Sequence, residues 1–333
     1  AYEIRPRDWS SDVCSSDLQL PACVGWARGI FAPSRKPEWG FALVNRMKPA
    51  PFTYHDPRSI TDAAALLAAH DNARVLAGGQ SLMPMMNFRY AMPDHVIDLN
   101  RVAELSYIRV EGHALKIGAM TRQRDIEYSK DIATHCPVLL EALSHVGHRQ
   151  TRNRGTIGGS LCHLDPSAEL ANIAALLEAS LHIVSSRGER VLPFAGFATG
   201  YMSTALEADE LLAAVTLPLP AVSAGHAFTE FARRHGDFSI VACSALLALN
   251  AQGEIAHAAL AVSGITPTPV RPQAIEQALL GQRPVAETFK AAAAEAEKLE
   301  ATSDAYVSAA YRQNLARVLV LRALTQAAGR ART

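Results

Sequence analysis

Two short glycine segments constrain this chain more than any other feature. The first, Val75-Leu76-Ala77-Gly78-Gly79-Gln80-Ser81-Leu82, runs from a strand-like stretch into Gly-Gly and then polar residues. The second, Gly155-Thr156-Ile157-Gly158-Gly159-Ser160-Leu161, repeats the same small-Gly-Gly-polar-Leu form 80 residues later. Glycine has no Cβ and tolerates positive φ, so successive backbone N–H groups can converge on phosphate oxygens. Gln80, Ser81 and Ser160 offer side-chain donors in addition. One such loop is equally the mark of a tight turn, but a matched pair points to a diphosphate held from two sides. Neither segment is GxGxxG or GxxxxGK[ST], which disfavours a dinucleotide bound on an open doubly wound sheet. The stretch Asp165-Pro166-Ser167-Ala168-Glu169 follows the second segment. Its carboxylates suit two roles that can coexist: accepting hydrogen bonds from ribose hydroxyls, and favouring a helix N-terminus.

Around these segments the pattern alternates between helix and strand. Asp62–His70 reads as a helix with Thr61 as N-cap, and Arg74–Ala77 as a strand ending in the glycine pair. Strands are expected at His95–Leu99 and Tyr107–Val110, and a hairpin turns at Glu111-Gly112 into Ala114–Gly118. Helices are expected at Thr121–Lys130 and Val138–His145. After the second glycine segment, read as a loop, a further helix is expected over Ser167–Ala179. A hairpin around Arg187-Gly188 and a strand at Leu211–Leu217 lead to Pro218-Leu219-Pro220, the best linker. Beyond it come strands at Ala227–Arg233, Ile240–Asn250 and Ile255–Val262, then helical patterns at Gln273–Leu280, Ala286–Leu299 and Ala305–Ala328. Strands followed by helices predict an α+β second half.

Composition narrows the function classes. Thirty-two basic residues balance thirty-two acidic ones, which argues against a polyanion-binding surface and so against nucleic acid as partner. A mean hydropathy of +0.05, with no 18-residue apolar run, predicts no membrane span. The three tryptophans, Trp9, Trp26 and Trp39, all fall within the first 39 residues. There, Asp8-Trp9-Ser10-Ser11-Asp12-Val13-Cys14-Ser15-Ser16-Asp17-Leu18 resembles the translation of a sequencing adapter; the alternative is a natural extension. Residues 1–46 are therefore expected to be non-native or disordered, with the folded chain starting near Met47. Three cysteines remain beyond that point, Cys136, Cys162 and Cys243, an odd set without a CxxC pair. Such usage fits reduced thiols and a cytoplasmic location. Cys162-His163 reads as two ordinary residues without a ligand pair nearby. No catalytic triad, paired-carboxylate site or metal cluster is recognised.

Ala77-Gly78-Gly79-Gln80-Ser81-Leu82-Met83-Pro84, Thr156-Ile157-Gly158-Gly159-Ser160 and Asp165-Pro166-Ser167-Ala168-Glu169 together resemble the FAD-binding motifs of the medium subunit of molybdenum hydroxylases. That is the carbon-monoxide dehydrogenase and xanthine dehydrogenase family. Arg233-Arg234-His235-Gly236-Asp237-Phe238 and Tyr311-Arg312-Gln313-Asn314-Leu315 resemble its second-domain signatures, so the likeness spans Met47 to Ala328. The resemblance implies a p-cresol methylhydroxylase-type FAD-binding domain of two α/β subdomains over residues 47–220. An α+β C-terminal domain, a three-stranded antiparallel sheet with helices, would occupy residues 224–328.

The resemblance also implies site roles. Leu76, Ala77, Gly78, Gly79, Gln80, Ser81 and Leu82, with Thr156, Ile157, Gly158, Gly159 and Ser160, would line the diphosphate. Asp165 and Glu169 would face the adenosine half, Leu212 would lie next to the isoalloxazine, and Phe238 would pack against the ring. Offset stacking suits Phe238; the other reading is a core aromatic at the start of a strand. No catalytic residue and no metal ligand is assigned to this chain, because the cofactor carries the redox chemistry.

In such enzymes a large subunit binds molybdopterin and a small subunit holds two [2Fe–2S] clusters, whose cysteine sets this chain lacks. The resemblance thus implies an electron-transfer subunit passing electrons from those clusters to an external acceptor, in a doubled heterotrimer. Two alternatives stay open at this point: a stand-alone FAD-dependent oxidoreductase acting on a small organic substrate, and a flavin-free scaffold.

Overall fold

A computed structural model describes residues 48–221 and 223–332. The expected extension at 1–46 therefore lies outside the described residues. The first layer is a three-stranded parallel sheet. It is built from β1 (Thr53–His55), α1 (Ile60–Ala69), β2 (Ala73–Leu76), α2 (Leu82–Asn87) and β3 (His95–Asp98), in the strand order β1-β3-β2. Ser59, not Thr61, caps α1: its hydroxyl accepts from the Asp62 N–H at 3.0 Å. That serine sits with extended backbone one residue before the first helical turn, where an N-cap belongs. Helix α2 follows the first glycine segment directly. Its Pro84 lies in the first turn, where a missing N–H costs nothing.

The second layer is an antiparallel sheet. It opens with the hairpin β4 (Ile108–Glu111) and β5 (Ala114–Gly118). Four short helices follow: α3 (Gln123–Glu127), α4 (Lys130–His135), α5 (Pro137–His145) and α6 (Arg149–Arg154). The helix expected across Thr121–Lys130 is thus split, because Ser129 restarts the chain as the cap of α4, accepting from Ile132 N–H. Next come α7 (Ile157–His163) and α8 (Glu169–Leu176), then β6 (Ser180–Ser185), β7 (Gly188–Pro193) and α9 (Phe194–Phe197). A small ribbon, β8 (Ala198–Gly200) and β9 (Ser203–Thr204), precedes β10 (Leu211–Pro218). Strand β10 enters the middle of the sheet, giving the order β4-β5-β10-β6-β7.

The third layer is the antiparallel sheet β11 (Gly225–Ala232), β12 (Ser239–Leu249) and β13 (Ile255–Ser263), followed by α10 (Gln273–Leu279), α11 (Ala286–Ala296) and α12 (Ala309–Arg330). Helix α12 begins four residues later than its pattern suggests, where the Ser308 hydroxyl accepts from Tyr311 N–H at 3.3 Å.

Strand β12 explains how the halves join. Val241, Cys243, Ala245 and Leu247 pack toward α10–α12 in one core, while Ala242 and Leu246 pack into the core shared with α5 and α8. Strand geometry sends alternate side chains to opposite faces, so a strand apolar at every position is covered on both. The C-terminal sheet therefore shares its core with the first half, which the two-domain expectation did not include.

Candidate functional site

The two glycine segments, distant in sequence, meet backbone to backbone. A Cβ on Gly78 would lie 2.3 Å from the Arg154 carbonyl oxygen and 2.8 Å from Gly155 Cα; one on Gly159 would lie 3.4 Å from Ala77 Cβ. Side chains clamp the junction. Asn100 Nδ2 donates to Ala77 O at 3.1 Å, and the Arg122 guanidinium donates both to Asn100 Oδ1 and to Arg154 O. No local pattern marks Asn100, Arg122 or Arg154, so the sequence reading missed all three.

The two segments differ in conformation. The first is a loop with Gly79 at φ +73°, and among the described residues no chain acceptor takes the backbone N–H groups of Gly78 through Leu82. Gln80 folds back instead of reaching outward, its Nε2 donating to Gly78 O at 3.1 Å. The second segment is not a loop. From Ile157 it forms α7, with Thr156 as N-cap accepting from Gly159 N–H at 3.0 Å. The signal available in the sequence is Thr156 itself, a favoured N-cap residue type, which the sequence reading places only in a phosphate turn. Ile157 N–H and Gly158 N–H donate to Thr121 O and Ala119 O, so those two amides are already used. The Ile157 side chain, 2% exposed, belongs to the core, which corrects its expected place at the diphosphate. Gly158 is there for packing, since a Cβ would meet Ala119 Cβ at 2.6 Å.

A groove of about 1010 Å³ runs from this junction. Ala77 to Leu82, Thr156, Gly158, Gly159, Ser160, Asp165, Glu169, Leu212 and Phe238 all line it, while Leu76 faces an adjoining cavity of about 270 Å³. Phe238 is 74% exposed in the turn between β11 and β12, so the core-aromatic alternative fails and its ring is free to stack. Leu212 lies on β10 beside a register shift that turns the strand. Asp165 Oδ1 accepts from Ser167 N–H and Oγ at 2.9 and 2.6 Å, closing a turn ahead of α8 and not capping it: the N-cap is Ala168, with no side-chain cap bond, which corrects the capping expectation. Helix α8 opens at Glu169, two residues later than expected.

Glu169 is buried where the groove meets the C-terminal sheet. Burial pushes its carboxyl up to about 8, with nearby Glu230 and Asp165 adding to the rise. His145 is raised by its 3.0 Å contact with Glu230, a buried carboxylate on β11. At neutral pH Glu169 is therefore mostly protonated and can donate as well as accept. Burial pushes the Cys162 thiol to about 12, leaving it an unreactive lining residue.

The stability consequence has a definite sign. A carboxyl raised from 4.5 binds a proton in the native state that the unfolded chain has released, so stability falls as pH rises from 4.5 through about 8. The His145–Glu230 contribution is complete below the ordinary histidine value of 6.5 and is lost as pH rises through the raised one. Glu141 and Glu210, both lowered, act oppositely: their contribution is present above 4.5 and lost as pH falls through their depressed values. Melting temperature is thus expected to peak between about pH 5 and 6.5 and to drop by several degrees at pH 8.5. Glu169→Gln should flatten the alkaline side; an unchanged slope would contradict the burial argument.

A parallel βαβ layer, an antiparallel second layer and a glycine-clamped groove between them define an α+β dinucleotide-cofactor protein. Residues 50–220 match the family described as FAD binding domain in molybdopterin dehydrogenase, and 226–327 match the CO dehydrogenase flavoprotein C-terminal domain. The chain belongs to this family of FAD-binding medium subunits. It is 39% identical over 289 residues to caffeine dehydrogenase subunit beta of Pseudomonas sp. strain CBB1, covering 85% of this chain and 97% of that one. Among solved structures it resembles carbon monoxide dehydrogenase from Hydrogenophaga pseudoflava, with TM-score 0.83, 37% identity, and 86% of this chain and 100% of that chain covered. Quinoline 2-oxidoreductase from Pseudomonas putida 86 gives TM-score 0.82 at 35% identity, covering 85% and 99%. Among the described residues no helix is long and apolar enough to cross a membrane.

Proposed function

We propose that this chain is the flavin-carrying, electron-transfer subunit of a heteromeric molybdenum hydroxylase. It would work with a molybdopterin-binding large subunit and a [2Fe–2S] small subunit, as a dimer of heterotrimers in the cytoplasm. The observation that carries the reading is the meeting of two glycine segments at one end of a groove large enough for a dinucleotide. FAD, when bound, supplies the redox chemistry.

The chain's own residues bind and orient the cofactor. Free amides from Gly78 to Leu82, with the Ser81 and Ser160 hydroxyls, suit the diphosphate. Asp165, still able to accept through Oδ2, and protonated Glu169 suit ribose and adenine polar groups. Leu212 and the exposed Phe238 suit the flavin ring. Asn100 and Arg122 are positioning residues that hold the two glycine segments together.

The test is anaerobic. The FAD-loaded chain alone, mixed with an N-heterocyclic or aldehyde substrate oxidised by its co-expressed complex, should show no bleaching of the flavin band. Adding the two partner subunits should restore bleaching within the turnover time. Rapid bleaching of the lone chain would overturn this reading in favour of a stand-alone oxidoreductase.

A further inference from the structure

Three histidines far apart in the chain converge beside the parallel sheet. His55 ends β1, His70 is the C-cap of α1, and His95 opens β3. Strand register brings them together: His95 lies beside Thr53 on one side and Ala73 on the other. Thr53 precedes His55 by two residues, and Ala73 follows His70 by three.

The rings are in contact. His55 Nε2 and His95 Nδ1 are 3.0 Å apart, and the His70 ring centroid lies 4.0 Å from that of His95 and 4.9 Å from that of His55. One nitrogen of each ring lies within 4.8 Å of the corresponding nitrogens of the other two. All three side chains are part-exposed, and among the described residues no carboxylate pairs with any of them. Six ring nitrogens therefore share one mutual contact, and the rings stack, His70 on His95 at 14° and on His55 at 30°. Packing alone gives little reason to gather three imidazoles where none has an acidic partner.

We propose that His55, His70 and His95 form a binding site for a divalent transition-metal ion of the zinc class, with the remaining position open to water. Tetrahedral zinc takes histidine nitrogens at about 2.0–2.1 Å, which places ligand nitrogens roughly 3.3–3.4 Å apart. The 3.0 Å contact lies just under that value and the other separations are at most 4.8 Å, so binding requires the part-exposed rings to turn out of their stack until one nitrogen of each faces the ion. Neutral imidazole is the ligand form, and an all-imidazole set selects Zn²⁺, Cu²⁺ or Ni²⁺ over Mg²⁺ and Ca²⁺. The ion would tie edge strand β1, the end of α1 and the start of β3 to one another. Helix α1 leads through residues 71–72 into β2 and the first glycine segment, so the site would brace the sheet that carries the cofactor loop. Because ligands 15 and 25 residues apart match no common metal motif, the sequence reading contained no metal site here.

The test uses the full chain stripped with a chelator and then equilibrated with Zn²⁺. Bound zinc per chain is measured by atomic spectroscopy after dialysis, and melting temperature is measured with and without zinc. The wild type should hold one zinc and melt at a higher temperature with it, since a ligand that binds only the native state stabilises it. His70→Ala and His95→Ala should hold zinc at least 100-fold more weakly and lose the thermal shift. His257→Ala, an exposed histidine on β13, should behave like wild type. His55→Gln, on the edge strand, replaces either variant that yields no folded protein. Zinc retention by any folded site variant equal to wild type, or no zinc on wild type beyond that on His70→Ala, would overturn the proposal.

Discussion

Gly79→Val should yield a folded protein that retains less than a tenth of the wild-type FAD. Gly79 sits at φ +73°, a region that a β-branched residue reaches only with strain of about 1–3 kcal/mol. The space is tight but yielding: a Cβ would meet Met83 Cγ at 3.2 Å and Leu76 Cδ1 at 3.3 Å, side-chain atoms that can give by a few tenths of an ångström. The strain is therefore relieved by turning the loop, and turning the loop redirects the amides of Gly78 to Leu82. At about 1.4 kcal/mol per tenfold in affinity, that strain alone is worth one to two orders of magnitude.

The second segment should respond differently from the simple phosphate-blocking picture. Gly159→Val would drive its Cβ to 2.8 Å from Thr156 Oγ1, against the cap of α7. Gly158→Val would strike the Ala119 backbone, with its oxygen at 2.7 Å. Both should lower melting temperature together with flavin content. Flavin-to-protein absorbance ratios and thermal melts separate the two behaviours. Stoichiometric flavin on purified Gly79→Val would refute the cradle assignment.

Asn172→Leu should lower the melting temperature by roughly 5–15 °C. Asn172 lies inside α8, fully buried among alanines and leucines. Its Nδ2 donates to Ala261 O at 3.2 Å and Ser263 Oγ at 3.1 Å, and its Oδ1 accepts from Ser244 Oγ. These partners belong to β12 and β13, so the amide joins the cofactor-bearing half to the C-terminal sheet. Leucine would match the volume but take the amide away from two buried hydroxyls and from the carbonyls of Ala261 and, at 3.5 Å, Ala242. Each orphan costs about 1–3 kcal/mol, and about 1 kcal/mol shifts a domain of 150–250 residues by roughly 2–4 °C. Adding Ser244→Ala and Ser263→Ala should restore much of the loss, because removing both partners of a hydrogen bond is far milder than removing one. A single variant that melts within a degree of wild type, or a triple variant no better than the single, would refute this account.

How much was legible follows from the range of each interaction. Strands β11 to β13 were placed within about two residues because long apolar runs broken by Gly and Asn turns carry their own pattern. The first glycine loop was legible for the same reason: its backbone demand falls on the residue that meets it. Helix starts moved by a few residues to the serine that caps them, Ser59 in place of Thr61 for α1 and Ser308, beyond the expected start at Ala305, for α12. Gly-Gly has poor helix propensity, so the second glycine segment reads as a loop. Thr156 and the close seat on Ala119 override that preference in the folded chain.

By itself, the sequence determined the long strands and helices, the glycine turn around Gly79 and the family to which the chain belongs, because each is encoded by neighbours or by motifs a few residues long. Tertiary structure alone decided that Gly78 would abut Arg154, that Arg122 and Asn100 would clamp the two segments, and that α8 would cover the C-terminal sheet through Asn172. It also decided that His55, His70 and His95 would share one space. The physical reason is common to all of these. Contacts between residues 15 to 90 positions apart are selected by sheet register and by close packing of whole elements. Neither leaves a local trace in the residues that meet.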